Sequence, residues 1–325
     1  MRRIHVLYWI GFTLSFLLVL LLIPPLRRLA VRIDFVDKPR PDVERKIHRE
    51  PIPLTAGIAI FVGFFAIYYV CSGSFSAQTW AITGGGLCIL GIGLIDDWYK
   101  TRGKELASLP KLVVQVGAAV IVYLSGIAFE GFTNPLNGQF VNLPAWLELL
   151  LTILWIFGVT TVINFSDGID GLAGGLSAIS GGTLFVVALT MGQSDSALMS
   201  IILVGAALGY LRYNKPPARV FMGDAGATFL GFMLGIIALD GAFKGATLLS
   251  LFIPILALGV PIFDNVIVVV RRMLASQPIY KADASQAHYK LLATGLNQKQ
   301  TLVFLCLLNV CFGLTAIIMA LQVGA

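Results

Sequence analysis

The stretch that decides the fold reads Ile163-Asn164-Phe165-Ser166-Asp167-Gly168-Ile169-Asp170-Gly171-Leu172-Ala173-Gly174-Gly175. It places two carboxylates and one amide between apolar runs at 150–162 and 176–191. An acidic residue at the mouth of a membrane helix is costly unless it is paired, solvated or bound to a cation. Asn164, Asp167 and Asp170 are spaced three apart, so a helix would place them on one face. The alternative is a capped polar loop, since Asn, Asp and Gly all favour caps and turns.

The composition around this stretch is that of a membrane protein. Of 325 residues, 57% are hydrophobic and only 12% are charged. The first apolar run, 6–24, is long and lacks a small-residue cleavage pattern, which favours a retained helix over a signal peptide. The four cysteines all lie in apolar runs and show neither a disulfide framework nor metal-ligand spacing.

The apolar runs predict an all-α polytopic membrane protein that forms one domain over residues 1–325. A span needs about 20 apolar residues. About ten spans meet this requirement, at 6–24, 54–71, 79–95, 111–128, 146–163, 171–190, 197–211, 226–241, 246–270 and 301–322. Alternating sides leaves five loops on one face, at 25–53, 96–110, 164–170, 212–225 and 271–300.

The basic residues orient these loops. With Lys111 counted in its loop, the five loops carry 8, 4, 0, 3 and 5 lysines and arginines, which is 20 of the 23 in the chain. The positive-inside rule therefore places the loops in the cytoplasm and both termini outside, in a cell-membrane protein. It also explains the net charge of +6, so we expect no nucleic-acid partner. Thirteen of the 17 acidic residues share this face, which predicts one active site formed by the five loops.

The second and fourth loops carry the acidic residues that are hardest to explain structurally. Asp96 and Asp97 are adjacent at the end of a span, where they repel each other and oppose the helix dipole. Lys111 opens the next span, either as a snorkelling anchor or as a group that neutralises phosphate. Asp224 follows Gly223 at the start of an apolar helix, as an N-cap or as a ligand to a hard cation. Phe221 could stack on a base.

The first and last loops are basic. Arg45, Lys46 and His48 belong to a segment that either contacts phosphate or is attracted to anionic lipid. Arg271, Arg272 and His288 belong to the last loop, where 290–296 predicts a short amphipathic helix on the membrane surface. Phosphate recognition and simple lipid attraction are both open for these two loops.

Carboxylates together with an asparagine suit Mg²⁺, or Mn²⁺, rather than zinc, because the chain offers no His/Cys ligand set. Mg²⁺ usually binds one or two protein oxygens and substrate phosphates. With many bases nearby, this pattern points to phosphoryl transfer on a nucleotide diphosphate. The sequence has no GxxxxGK[ST] loop and is therefore not a P-loop enzyme. A site at the membrane surface implies one soluble substrate and one lipid substrate.

The chain resembles the polyprenyl-phosphate N-acetylhexosamine-1-phosphate transferases over nearly its whole length. Within that family it resembles the branch that uses UDP-N-acetylglucosamine more closely than the muramoyl-pentapeptide branch. The matching pieces are Asp37-x-Pro39, Arg45-Lys46-x-His48, Pro51-x-Pro53-x-x-x-Gly57, Leu94-Ile-Asp96-Asp97, Asn164-x-x-Asp167-Gly-x-Asp170-Gly-Leu-Ala173, Phe221-Met-Gly-Asp224-x-Gly226, Pro261-Ile-Phe-Asp264 and Gln277-Pro278.

The resemblance implies ten helices and transfer of the sugar phosphate from a UDP-N-acetylhexosamine to polyprenyl phosphate, with release of UMP. Asp224 and Asn164 would hold Mg²⁺, and Lys111 would stabilise the developing charge. Asp96 and Asp97 would position or deprotonate the lipid phosphate. Asp167 and Asp170 would complete the nucleotide and metal site. Phe221 and Gly223 would border the uracil. Membrane lipid is a further partner, and a homodimer is left open.

One departure from the family pattern lies in the last cytoplasmic loop. The family's His-x-His-His is Gln286-Ala287-His288-Tyr289 here, so a single catalytic histidine candidate remains. Two other functions stay open, a silent relative that only binds polyprenyl phosphate and a secondary transporter. A transporter would carry its acidic residues near the membrane midplane, whereas these cluster at one face.

Overall fold

The structure is a computed structural model that describes residues 2–39, 50–104, 106–134, 137–242, 251–277 and 285–323. A helix lies at each of the ten predicted apolar runs. The helices are α1 Arg2–Arg32, α2 Ala56–Ser72, α3 Ala77–Thr101, α4 Ser108–Leu124, α5 Ala145–Phe165, α6 Leu172–Thr190, α7 Ser194–Asn214, α8 Gly223–Ala242, α9 Phe252–Ala257, α10 Gly259–Leu274, α11 Ala287–Ala293 and α12 Gln298–Val323.

Seven of the described helices are long and apolar enough to cross a membrane, with lengths from 19 to 27 residues. They are α1 from Val6 onward, α3, α5, α6, α7, α8 up to Gly241, and α12. Two more, α2 and α4, are apolar but shorter. The chain is therefore a multi-pass membrane protein. The count of ten spans and the external termini stay predictions.

The ninth predicted span, 246–270, is divided. Residues 246–250 lie outside the described part, and the rest forms α9 and α10 with a break at Leu258. Pro261 has no N–H to donate back to the preceding turn, which weakens a helix here. The buried side chain of Asn309 in α12 accepts the Val260 N–H at 3.0 Å and so satisfies a donor near the break.

Two short hairpins accompany the helices and were not predicted. Strand β1, Val36–Asp37, pairs with β2, Ile52–Pro53, and β3, Gly131–Thr133, pairs with β4, Phe140–Asn142, both antiparallel. The first hairpin is tied to the loop that precedes α8, because the Phe221 N–H donates to Pro53 O at 2.8 Å. The base of the first loop therefore lies against the start of α8.

Helix α8 is the centre of the bundle. In its membrane-length segment 94% of the residues are buried, and α2, α3, α5, α6 and α7 pack around it. A helix that is apolar all round is buried in this way. Its first turn approaches α2 so closely that a methyl group on Gly226 would lie 2.9 Å from the Gly57 Cα atom. The N-terminus of this central helix therefore lies at the face where the acidic loops meet.

Candidate active site

The N-terminus of α8 is capped by Asp97, a residue 127 positions earlier in the chain. The Asp224 N–H donates to Asp97 Oδ1 at 2.9 Å, and the Ala225 N–H donates to Oδ2 at 3.2 Å. Asp97 is 1% exposed. Free N–H groups and the positive end of the helix dipole both favour a carboxylate at this position.

Gly223 makes this approach possible. Its φ of 66° lies in the left-handed region, which residues other than glycine rarely adopt. A methyl group there would also overlap the Asp97 carboxylate. The glycine predicted to border the uracil therefore lets α3 and α8 meet at their ends.

Asp96, the neighbour of Asp97, faces two lysines. Its Oδ2 atom lies 2.9 Å from Lys100 Nζ and 3.0 Å from Lys111 Nζ, and its side chain is fully buried. Burying a carboxylate is costly unless it is paired. The two ammonium groups supply that pairing, and they bring the start of α4 against the end of α3.

The same two lysines hold Asp224. Lys100 Nζ lies 2.6 Å from Asp224 Oδ1, and Lys111 Nζ lies 3.8 Å from Oδ2. We name Asp96, Lys100, Lys111 and Asp224 the acid–lysine cluster. The Asp224 side chain is 21% exposed, so the cluster is reachable from outside the bundle.

Lys100 was missed by sequence reasoning. It is the only member of the acid–lysine cluster that was not a predicted site residue, although it contacts both carboxylates. The signal was present, because Asp96 and Lys100 are four apart on a helix, the spacing at which opposite charges attract.

The decisive stretch forms a turn at 166–171 between α5 and α6. Of the two alternatives, the structure shows the polar turn, because α5 ends at Phe165, before either aspartate. Asp170 Oδ2 accepts the Ala218 N–H at 2.9 Å, which ties the turn to the loop after α7.

Asp167 interacts electrostatically with members of the acid–lysine cluster. Burial, and then the negative charges of Asp224 and Asp170, raise its pKa to about 7, while Lys100 acts in the opposite direction. Asp167 is therefore electrostatically coupled to Asp224, and its predicted role in the nucleotide and metal site stays a prediction.

Asn214 is a second residue that the sequence analysis missed. It is 2% exposed, its Oδ1 accepts the Gly171 N–H at 2.8 Å, and its Nδ2 donates to Val220 O at 3.0 Å. It fastens the turn to the segment leading into α8. Nothing in the sequence distinguished this asparagine from an ordinary polar helix end.

His288 lies in α11, which spans Ala287–Ala293 rather than the predicted 290–296. The Ala287 N–H donates to Asp264 Oδ1 at 2.9 Å, which anchors α11 to α10. His288 is 1% exposed, and burial lowers its pKa from 6.5 to about 4. Its imidazole covers Gly168 so closely that a methyl group there would overlap the ring.

We predict that Gly168→Ala lowers turnover about tenfold or more, because the added methyl group displaces either α11 or the turn that carries Asp167. Steady-state turnover at equal protein level is the measurement. Gly158→Ala in α5 is the matched control, since its methyl group would meet nothing within 4 Å. Equal activity of the two variants would contradict the packing role of His288.

We also predict that His288 governs stability in mild acid. Because the folded pKa of about 4 lies below the ordinary 6.5, the unfolded chain binds the proton first as the pH falls. The stability contributed by the neutral imidazole is complete above pH 6.5 and is lost as the pH falls towards 4. The Tm of wild type in detergent should therefore fall more steeply over this window than that of His288→Gln. Parallel curves would refute the assignment.

The remaining predicted residues are spread around this region. Phe221 is half-buried, and its ring packs with the buried side chains of Ala30, Phe35 and Leu54. Arg271 is exposed, whereas Arg272 is buried and donates to Ser285 Oγ at 3.4 Å.

Three predicted substrate-binding residues of the first loop, Arg45, Lys46 and His48, lie outside the described residues. Their loop starts from the β1–β2 hairpin, whose Pro53 carbonyl accepts the Phe221 N–H.

The donor set suits a hard cation with few protein ligands. Asp224 offers an accessible carboxylate, and the half-buried Asn164 side chain makes no hydrogen bond within the described residues. In the same part of the chain, no three His, Cys, Asp or Glu side chains are grouped to hold a metal. A cation here would complete its shell with substrate phosphate oxygens, which is the habit of Mg²⁺.

Fold and site together define a multi-pass membrane protein with an acid–lysine cluster at the mouth of its central helix. The chain belongs to glycosyl transferase family 4, whose model matches residues 79–242, from α3 to the end of α8. The family predicted from the motifs is thereby confirmed.

Relatives extend the similarity to most of the chain. A probable undecaprenyl-phosphate N-acetylglucosaminyl 1-phosphate transferase of Bacillus subtilis is 38% identical over 95% of this chain and 84% of its own length. A decaprenyl-phosphate N-acetylglucosaminephosphotransferase of Mycobacterium tuberculosis is 30% identical over 87% and 75%. A phospho-N-acetylmuramoyl-pentapeptide-transferase of Listeria monocytogenes is 29% identical over 70% and 73%.

Proposed function

We propose that this protein transfers N-acetylglucosamine 1-phosphate from a UDP-linked donor to polyprenyl phosphate, releasing UMP and starting a lipid-linked cell-wall glycan. The observation that carries the proposal is the acid–lysine cluster, which offers both signs of charge at the mouth of the central helix. Its residues lie in the segment that matches the family. The relatives named for N-acetylglucosamine substrates support this choice of sugar.

The cation-binding end of the site is Asp224 with Asn164. A bound Mg²⁺, or Mn²⁺, would neutralise charge on the donor diphosphate. The exposed edge of Asp224 and the unengaged amide of Asn164 are the groups that would hold it. Asp167, whose pKa is raised by the same negative charges, would respond to a cation there by releasing its proton.

The lysines supply charge stabilisation from the chain itself. Lys111 Nζ is 3.8 Å from Asp224, beyond hydrogen-bond distance, and 3.0 Å from Asp96. It could therefore meet a phosphate near Asp224 while it keeps its ion pair with the buried Asp96. Lys100 stays in direct contact with both carboxylates. In phosphoryl transfer, positioning and such electrostatic stabilisation supply most of the catalysis.

The two adjacent aspartates take different roles in this proposal. Both oxygens of Asp97 accept backbone N–H groups, so Asp97 is a positioning residue that fixes the start of α8. Asp96 faces the lysines and is the group that would position or deprotonate the lipid phosphate. The turn of Asp167 and Asp170, closed by His288, forms the remaining wall.

We place the site on the cytoplasmic face of the cell membrane, because 20 of the 23 basic residues lie in loops of that face. Single-cysteine variants at Lys104 and Lys299 should react with a membrane-impermeant maleimide only when the inner face is open. A cysteine at Asn137 should react from outside. Labelling of Lys104→Cys from outside would reverse the orientation.

The test of the function is UMP release. Proteoliposomes of the purified chain should release UMP from UDP-N-acetylglucosamine only when polyprenyl phosphate and Mg²⁺ are both present. The product should carry one sugar phosphate per polyprenyl chain. Absence of UMP release with any UDP-N-acetylhexosamine would favour a silent relative that binds the lipid. Movement of an intact sugar nucleotide across the membrane would favour a transporter.

A further inference from the structure

A second charged feature lies just after α7, in the loop that is hydrogen-bonded to Asp170 through the Ala218 N–H. A cavity of about 90 Å³ opens there. Its lining consists of Arg212, Tyr213, Lys215, Pro216, Pro217 and Arg219. Within the described residues, none of these side chains forms an ion pair with the acid–lysine cluster, so the cavity is distinct from that cluster.

Three basic residues line this cavity. Arg212, Lys215 and Arg219 are all exposed, and in the described part of the chain no acidic side chain pairs with any of them. Topology explains why bases lie on this face. It does not explain why three of them line one concavity, where their mutual repulsion favours a bound anion.

The walls of the cavity are held by hydrogen bonds. The Arg219 N–H donates to Tyr213 O at 2.8 Å, and the Lys215 N–H donates to Leu211 O at 3.0 Å. The Tyr213 hydroxyl donates to Leu20 O in α1 at 3.0 Å. A preformed pocket binds at a lower ordering cost than a flexible loop.

We propose that this cavity is a binding site for a phosphate group. Two arginines and a lysine are the side chains that phosphate prefers. The volume of about 90 Å³ is well below the ~300–1,000 Å³ of sites that take whole small molecules. It suits a single phosphate rather than a sugar nucleotide.

Two sources can supply that phosphate. Arg212 lies in the last turn of a membrane-length helix, which is the depth of lipid headgroups, so an anionic phospholipid can present its phosphodiester. Free inorganic phosphate has the same chemistry. The loop that lines the cavity also donates the Ala218 N–H to Asp170, so a bound phosphate would steady a wall of the proposed site.

The test measures binding and needs no catalysis, so its result is independent of the proposed transferase activity. The full chain is compared with a triple variant, Arg212→Gln, Lys215→Gln and Arg219→Gln. A matched control carries Arg32→Gln, Lys104→Gln and Lys299→Gln, which removes three exposed bases elsewhere. Native mass spectrometry follows phosphatidylglycerol against phosphatidylcholine, and calorimetry in detergent follows inorganic phosphate.

Wild type and control should bind one of the two anionic probes about tenfold more tightly than the triple variant, because charge-assisted hydrogen bonds are lost. Loss confined to phosphatidylglycerol identifies the lipid headgroup as the source, and loss of inorganic phosphate identifies the free ion. Equal binding of both probes by all three proteins would overturn the proposal. If the triple variant does not fold, Lys215→Gln alone should weaken binding about threefold, and unchanged affinity would then count against the site.

Discussion

Asp224→Asn is expected to lower turnover about a thousandfold while the protein still inserts and folds. The carboxylate lies 2.6 Å from Lys100 and 3.8 Å from Lys111, and it is the accessible acid of the cluster. An amide cannot neutralise these lysines or hold a divalent cation with the same strength. Both lysines would then be drawn to Asp96 alone, away from the position where the donor diphosphate is expected.

The measurement is UMP release in saturating Mg²⁺ at matched protein level, with Tm as the check on folding. Asp34→Asn is the control, since it removes an exposed acid that contacts Lys38 at 2.6 Å and should change turnover little. Near-normal activity of Asp224→Asn would remove the basis for both the cation site and the acid–lysine cluster as the catalytic centre.

The meeting of the acidic loops could be predicted from the sequence. Asp96, Asp167 and Asp224 all follow or precede apolar runs on the same face, and in a membrane protein span ends on one face share a plane. The lengths and hydropathy of the spans alone therefore place residues that are more than a hundred positions apart in the sequence at the same depth relative to the membrane. Predicting which side chains touch at that level requires the packing of the helices.

The cap on α8 shows what the sequence could not reveal. Asp97 was predicted as a functional acid because it repels Asp96 and opposes the helix dipole at the end of a span, and the family resemblance implied its catalytic role. The structure shows that the cost is offset by two backbone N–H groups of α8. That contact depends on the close packing of α2 and α3 against the first turn of α8, which no local pattern encodes.

His288 illustrates the same limit. The motif retains one histidine, and an imidazole in the last of the predicted cytoplasmic loops suggests a group that meets substrate. In the structure His288 is buried against Gly168, and its Nε2 has no hydrogen-bond partner within the described residues. With a pKa of about 4 it is neutral at physiological pH, so in this conformation it shapes the Asp167 turn and contributes no positive charge.

Gln286 extends this conclusion to the altered motif. It is 8% exposed and precedes α11 as its N-terminal flanking residue. Tyr289 packs on the His288 ring, with ring centroids 4.2 Å apart. The residues that depart from His-x-His-His therefore belong to the segment that packs α11 against the Asp167 turn. We expect any change in sugar preference to originate from this packing.

Lys100→Gln should lower turnover about a hundredfold, because Lys100 Nζ lies 2.9 Å from the carboxylate of Asp96 and 2.6 Å from that of Asp224. Without it, the buried Asp96 and the nearby Asp224 repel each other with only Lys111 between them. Lys100→Arg keeps the charge and should retain more activity than Lys100→Gln. Lys104→Gln, which changes an exposed base in the loop after α3, is the control.

A double-mutant cycle makes the role of Lys100 specific. If Lys100 acts through Asp224, the variant carrying both Lys100→Gln and Asp224→Asn should be little worse than Asp224→Asn alone. The coupling free energy should be roughly 1–3 kcal/mol, as for residues in direct contact. Additive losses would mean that Lys100 acts elsewhere, on substrate or on Asp96 alone. If Lys100→Gln lowered the Tm but left turnover per folded molecule unchanged, Lys100 would have only a structural role, as a member of an ion pair. It would then have no part in the chemistry of the site.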